Sequence, residues 1–302
     1  KGFYVHPVRN VIEPVNLKNS YLIDRERYLP LGFLVRVEER KLWGLIPVRH
    51  ALFGIDLEDP VIEQQGIAPE SRYWFLFGAD QYGQDIWSRL IYGSRISLSI
   101  GLVGITFTFI IGIIMGGISG YVGGWVDTLI QRLIEIVAAF PQLPLWLVIA
   151  AILPPWWSAL SVYFAITVLL SLLGWTGLAR VTRGKILSLR EEDYAVAARL
   201  LGASHGRILF RHLVPGFTSH IIVTLTLSIP GMILGETALS FLGLGLRPPI
   251  VSWGVMLQDC FNLDVVANYP WLLLPVVMIV LTVLSFNFLG DGMRDAADPY
   301  AR

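Results

Sequence analysis

Residues 96–126 read ISLSIGLVGITFTFIIGIIMGGISGYVGGWV, with no Asp, Glu, Lys or Arg among them. A helix needs about 20 consecutive apolar residues to cross the hydrocarbon layer, so this stretch makes the chain a helical membrane protein. Working outward, a second uncharged run covers 136–179 and is too long for one crossing. Pro154-Pro155-Trp156-Trp157 divides it, because paired prolines end a helix and tryptophan favours the membrane interface. Residues 213–235 and 265–290 are the remaining uncharged runs. The reading is five spans, at about 96–119, 131–153, 159–178, 216–238 and 270–290. Composition agrees: 54% of the 302 residues are hydrophobic and 15% charged, where a soluble domain carries about 25% charge.

The same composition excludes several functions. Net charge is zero, which argues against a nucleic-acid partner. The single cysteine, Cys260, cannot form an internal disulfide, and the scattered histidines have no acidic or thiol companions at metal-ligand spacing. No span presents paired acids or a nucleophile with its base.

Orientation follows from the loops. Residues 180–215 carry Arg180, Arg183, Lys185, Arg190, Arg199, Arg207 and Arg211 against Glu191, Glu192 and Asp193. That positive excess marks a cytoplasmic segment. Counting crossings puts the C-terminus inside and residues 1–80, 154–158 and 243–269 outside. Nothing in residues 1–80 resembles a signal peptide, and Lys1 is not an initiator methionine. A preceding first transmembrane helix is therefore expected, making six. Residues 1–75 read as a small extracytoplasmic α+β subdomain, either a spacer or a platform for a soluble partner. A strand is expected at 31–41, and Tyr4, Tyr21, Tyr28, Trp43 and Phe53 are available for its core.

The cytoplasmic loop carries the most information. Ser188-Leu-Arg-Glu191 fits a capping box opening a helix that runs to Leu201 and stops at Gly202. Ser204 is suited to cap a second helix over 206–214, which Pro215 closes. Ala195, Ala197 and Ala198 are the small residues of the first helix. Ala195, Ala198 and Leu201 share one face, and with Ala197, Gly202, Ser204 and Arg207 they form a candidate protein-docking surface.

Ala197-Ala198-Arg-Leu-Leu-Gly202 followed by Pro215 resembles the EAA loop of ABC importer permeases. The flanks resemble one branch of that family, the C-type subunit of dipeptide, oligopeptide and nickel importers. They are Gly78-Ala-Asp80-Gln-Tyr-Gly83-Gln-Asp85, Tyr121-Val-Gly-Gly-Trp-Val-Asp127, Ala238-Leu-Ser-Phe-Leu-Gly-Leu-Gly245, Ser252-Trp253-Gly254 and Phe286-Asn-Phe-Leu-Gly-Asp291. The resemblance covers 75–302. It implies a type I (MetI-like) helical bundle, all-α and integral to the inner membrane. It also implies a paralogous B-type permease completing the pore, two cytoplasmic ATPase subunits that hold the ATP and magnesium, and an extracytoplasmic substrate-binding protein. Peptides are the implied cargo, with oligosaccharides or nickel complexes as alternatives and a secondary transporter as the competing class. The pattern departs from the family at Val196, where the EAA glutamate belongs, at His212 and Val214, and at Ala79 and Gln84. No phosphate-binding loop is present: before Gly184-Lys185 the required glycine is Ala179, and Ile186 follows.

Three residues are candidates for the pathway or a gate: Glu236, Phe140 and Trp175. Glu236 near the end of its span is read either as a pathway or gate residue or as a structural hydrogen-bonding group. Glu135 lies one turn from Arg132, which suggests a local ion pair. Gly112, Gly116, Gly120 and Gly124 recur every four residues, which allows a close packing seam, within this chain or against the paralogue.

Overall fold

The computed structural model describes residues 3–12, 19–42, 46–55, 59–66, 74–80 and 82–297. Two compact units divide the chain, Lys1–Ile86 and Trp87–Arg302.

The first unit holds β1 (Tyr4–Val5), β2 (Val8–Ile12), β3 (Asn19–Ile23), β4 (Leu29–Leu42), β5 (Ile46–Ile55) and a short helix α1 (Pro60–Gln64). All pairings are antiparallel: β1, β4 and β5 form one sheet, and β2 pairs with β3. The strand expected at 31–41 lies within β4. The expected aromatic core is not what forms. Leu29, Ile55 and Ile62 are the buried centre, packed by Val5, Leu31 and Trp74. Tyr4, Tyr28 and Phe53 are exposed, while Trp43 and the Tyr21 side chain lie outside the described residues. The reason is reach. The five-residue α1 covers only the Leu29–Ile55 end of the sheet face, and Phe53 lies beyond it, edge-on to its cross-strand partner Phe33 at 5.2 Å.

The second unit is helical. It comprises α2 (Ile86–Val122), α3 (Gly124–Ala139), α4 (Gln142–Ala151), α5 (Ala159–Leu189), α6 (Asp193–Leu200), α7 (His205–Arg207) and α8 (Thr218–Phe241), then α9 (Trp253–Leu257), α10 (Leu263–Asn268) and α11 (Leu274–Ala297). Among the described residues, four stretches are long and apolar enough to cross a membrane: Ile86–Val122, Ala159–Leu189, His205–Phe241 and Pro270–Ala296. The span expected at 131–153 is a bent pair, which makes a fifth crossing if its two helices count as one span. The axes of α3 and α4 differ by 82°, because Pro141 lacks an N–H and holds the preceding Phe140 extended, at φ −88° and ψ 135°. Ser158 caps α5 after the Pro-Pro-Trp-Trp turn, its Oγ accepting the Ser161 N–H at 3.1 Å.

The glycine seam lies within this chain. A Cβ on Gly116 would sit 2.3 Å from the Ala179 carbonyl oxygen, one on Gly112 2.9 Å from Leu178, and one on Gly120 2.8 Å from the Arg183 carbonyl oxygen. The backbones of α2 and α5 therefore approach closely, as small residues permit in lipid. Gly124 is not in the seam. With Gly123 it takes positive φ, +58° and +69°, in the turn between α2 and α3.

Two expectations for the cytoplasmic loop are corrected. Ser188 caps nothing: α5 continues through it to Leu189, held by the buried Ile186, and α6 starts after Glu192. Pro215 does not close a helix either. From α7 the chain passes through a π turn (Ile208–Leu213) and a 3-10 turn (Val214–Phe217) into α8. Pro215 falls at the start of the 3-10 turn, where its missing N–H has no helical partner to lose.

Candidate functional site

The α6–α7 turn forms as its glycine demands. Gly202 has φ +78°, its N–H donates to the Arg199 carbonyl at 3.0 Å, and the Ala203 N–H reaches back to Ala198 at 3.1 Å. This is the paired 6→1 and 5→2 closure that favours glycine. Ser204 begins the next turn with its carbonyl, which accepts from Ile208 at 3.0 Å, and not with its side chain.

The face of α6 is reversed from expectation. Ala195 is buried and Ala198 half-buried, both packed on a core of Ile186, Ile208, Leu209, Leu213 and Phe217. Small side chains let α6 lie close to the π turn. Outward face Val196, Ala197, Leu200 and Leu201, the two leucines 83% and 88% exposed. Arg207 is also exposed. Burial, followed by the neighbouring Glu192 carboxylate, pushes the Tyr194 phenol above its ordinary pKa. Leucines at such exposure are costly in water, so this corner is an unpaired apolar tip on a basic loop.

Where the first turn of α3 meets the C-terminal part of α5 lies a polar lock. Arg183 donates to both oxygens of Asp127, and Asp127 also accepts from Ser119, whose hydroxyl takes the Gln131 amide at 3.0 Å. Arg190 donates to the Gly120 carbonyl at 3.0 Å. Arg132 and Glu135 form the expected local pair at 2.7 Å.

The candidate pathway residues part company. Trp175 is in a packed cluster with Ile130, Ile134 and Ala179. Phe140 is exposed at the α3–α4 break. Glu236 is 0% exposed. Its Oε1 accepts the hydroxyls of Ser240 and Ser252, each at 2.8 Å, and its Oε2 accepts Ser97 at 3.4 Å. Each serine oxygen in turn accepts a backbone N–H, from Leu246, Val255 and Trp253 respectively. That leaves each hydroxyl proton to point at the carboxylate. Of the two readings left open, the geometry holds the hydrogen-bonded one: Glu236 ties α2, α8 and α9 together.

The concave feature lies elsewhere, a groove of about 440 Å³ between α2, α4, α5 and α8. Gly174, Gly177 and Gly231 give it depth, Trp146 and Met232 its apolar walls, and no Asp, Glu, Lys or Arg lines it. Thr224 and Ser228 donate their hydroxyl protons to carbonyls one turn back, at 2.9 and 2.7 Å. What they offer the groove is lone pairs. The sequence signal was available, as small or hydroxylic residues at 174 and 177, and at 224, 228 and 231, follow the helical three-and-four spacing.

Comparison with known proteins fits this architecture. Residues 108–302 match the family described as binding-protein-dependent transport system inner membrane component. The dipeptide transport system permease protein DppC of Bacillus subtilis is 38% identical over 80% of this chain and 73% of its own length. The oligopeptide transport system permease protein OppC of the same organism is 39% identical, over 78% and 74%. OppC of Haemophilus influenzae is 37% identical, over 85% and 80%. In fold, the chain is similar to a solved inward-facing structure of the MetNI methionine ABC transporter. The TM-score is 0.53 at 18% identity, over 70% of this chain and 97% of that one.

Proposed function

The chain belongs to the inner-membrane components of binding-protein-dependent transport systems, and from that premise we propose that it conducts di- or oligopeptides. As the permease component it is a multi-pass membrane subunit and not the ATPase, since hydrolysis resides on partner subunits of such systems. We assign it a paralogous B-type permease as pore partner, two cytoplasmic ATPases, and a binding protein on the outer side.

The observation that carries the substrate is the groove between α2, α4, α5 and α8. It is uncharged, and Thr224 and Ser228 present acceptors to it. A peptide supplies N–H donors along its length that such acceptors can take. A wall of this kind supports passage with weak contact, selectivity residing in the binding protein. The exposed Leu200–Leu201 corner supports ATPase docking by apolar insertion, in place of the glutamate contact that Val196 cannot make.

Proteoliposomes holding the four-subunit complex, with ATP on the ATPase side and binding protein on the other, test the assignment. Labelled di- and oligopeptides are expected to accumulate. Accumulation of a nickel complex or an oligosaccharide with no peptide uptake would overturn the substrate.

A further inference from the structure

The outer end of this unit, in the orientation proposed above, holds a second and smaller concavity of about 170 Å³. Pro154, Pro155 and Trp157 of the α4–α5 turn form one side, and Arg247, Pro248 and Pro249 of the α8–α9 connection form the other. Arg247 is the only basic residue in segments 152–158 and 243–269. It is exposed, and among the described residues no carboxylate pairs with it. The four prolines carry no N–H, so the guanidinium is the charged donor of a corner whose walls are rigid and otherwise donor-poor.

The mounting is equally firm. Leu246 is 0% exposed, and its N–H donates to Ser240 Oγ at 3.0 Å. The Gly245 N–H closes on the Leu239 carbonyl at 2.8 Å. Ser240 and Ser252, on either side of Arg247 in sequence, both bind Glu236. Arg247 therefore springs from the helical bundle itself.

We infer that this corner receives one acidic side chain, Asp or Glu, from the binding protein that delivers substrate. The inference rests on the permease reading and its orientation. Size decides against the substrate as occupant: pockets that hold small molecules measure about 300–1,000 Å³, and this one has room for a side chain. Charge decides the chemistry, because a guanidinium fork matches a carboxylate at two points. Arginine beside tryptophan is also the composition of residues that dominate protein interfaces.

The test titrates the reconstituted complex with its purified binding protein and reads stimulated ATP hydrolysis. Arg247→Glu is expected to raise the half-saturating binding-protein concentration about tenfold while the maximal rate is retained, and Arg247→Ala to raise it less. The wild-type half-saturation should rise with ionic strength, and that dependence should weaken in both variants. An acidic-to-lysine change on the binding protein should restore Arg247→Glu. An unchanged half-saturating concentration overturns the inference. So does a selective loss of uptake for peptides with a free C-terminal carboxylate, compared with amidated ones, at unaltered half-saturation; that result would assign Arg247 to substrate. If the wild-type complex shows no stimulation at all, the permease reading itself fails and this inference goes with it.

Discussion

Arg183 grips Asp127 at two points, Nε at 2.6 Å from one carboxylate oxygen and a terminal nitrogen at 2.5 Å from the other. The pair joins the C-terminal part of α5 to the first turn of α3 across 56 positions of sequence. Its side chains are 31% and 17% exposed, so it is neither a solvated surface pair nor a dry one. Asp127→Asn should lower thermal stability of the detergent-solubilised complex by about 1–2 kcal/mol, between those two limits. Arg183→Gln should cost a similar amount, and the double variant less than the two combined. Strict additivity in a double-mutant cycle would show that the two residues act independently.

Gly116 and Gly117 make a matched test of the α2–α5 seam. A Cβ at Gly116 meets a backbone carbonyl at 2.3 Å, which cannot yield without parting two helices. At Gly117 it meets only the Leu209 side chain at 3.3 Å, which can turn aside. Gly116→Ala should cost about 1–3 kcal/mol or more, and Gly117→Ala well under half of that. Equal folded yields and melting temperatures would contradict the packing.

Glu236 can be probed by shape and by polarity. Glu236→Gln keeps one acceptor oxygen for the serines at Oε1, and should assemble with modestly lower stability. Glu236→Leu leaves three serine hydroxyls without an acceptor in a dry site, each costing about 1–3 kcal/mol. The connection over 242–257 should then exchange its amides far faster in hydrogen-exchange measurements. Unchanged protection in Glu236→Leu would remove Glu236 as the tie.

The thiol of Cys260 reports both side and environment. Burial, with the Asp259 charge as the second cause, pushes its pKa above the ordinary thiol value. The thiolate is the reactive form, so less of it is present at pH 8 than in a free cysteine. Labelling should keep accelerating beyond the pH at which an ordinary thiol levels off, and Asp259→Asn should speed it at pH 8. A membrane-impermeant maleimide should label intact spheroplasts. Labelling only after permeabilisation would reverse the orientation.

The Leu200–Leu201 corner separates docking from folding. Leu200→Asp and Leu201→Asp place charge where the chain exposes an apolar tip, and should abolish ATPase co-purification while the permease still inserts. Ala195→Arg should instead damage the permease itself, since Ala195 is 1% exposed against the π turn. Retained ATPase binding in Leu200→Asp/Leu201→Asp would exclude this corner as the contact.

Much of this was legible before any coordinates. Uncharged runs located the helices because lipid tolerates so little charge, and Gly202 announced its turn because few other residues accept φ +78°. Other readings failed where a local pattern met a longer-range force. Ser188 and Glu191 have capping-box spacing, yet Ser188 still lies inside α5, which ends at Leu189 with Ile186 buried beneath it, and Glu191 falls in the turn that follows. Alanines on α6 are as good for packing inward as for docking outward, and the hydrophobic cluster around Leu213 decided between them. Glu236 could not be apportioned from its neighbours alone, because two of its three partners, Ser97 and Ser252, stand 139 and 16 positions away.

The run from His205 to Phe241, which is regular α-helix only from Thr218 on, has a mechanical meaning. Its 37 residues, at about 1.5 Å each, make a strut of about 55 Å. One end starts beside the Gly202 turn, and the other carries Glu236 and, through it, the mount of Arg247. A tilt imposed at the Gly202 end meets the π turn, the 3-10 turn and Pro230 before it reaches Glu236, and those are the places where a helix bends. Push and response would then share one jointed member, and its three irregular points would set how much of a displacement at one end arrives at the other.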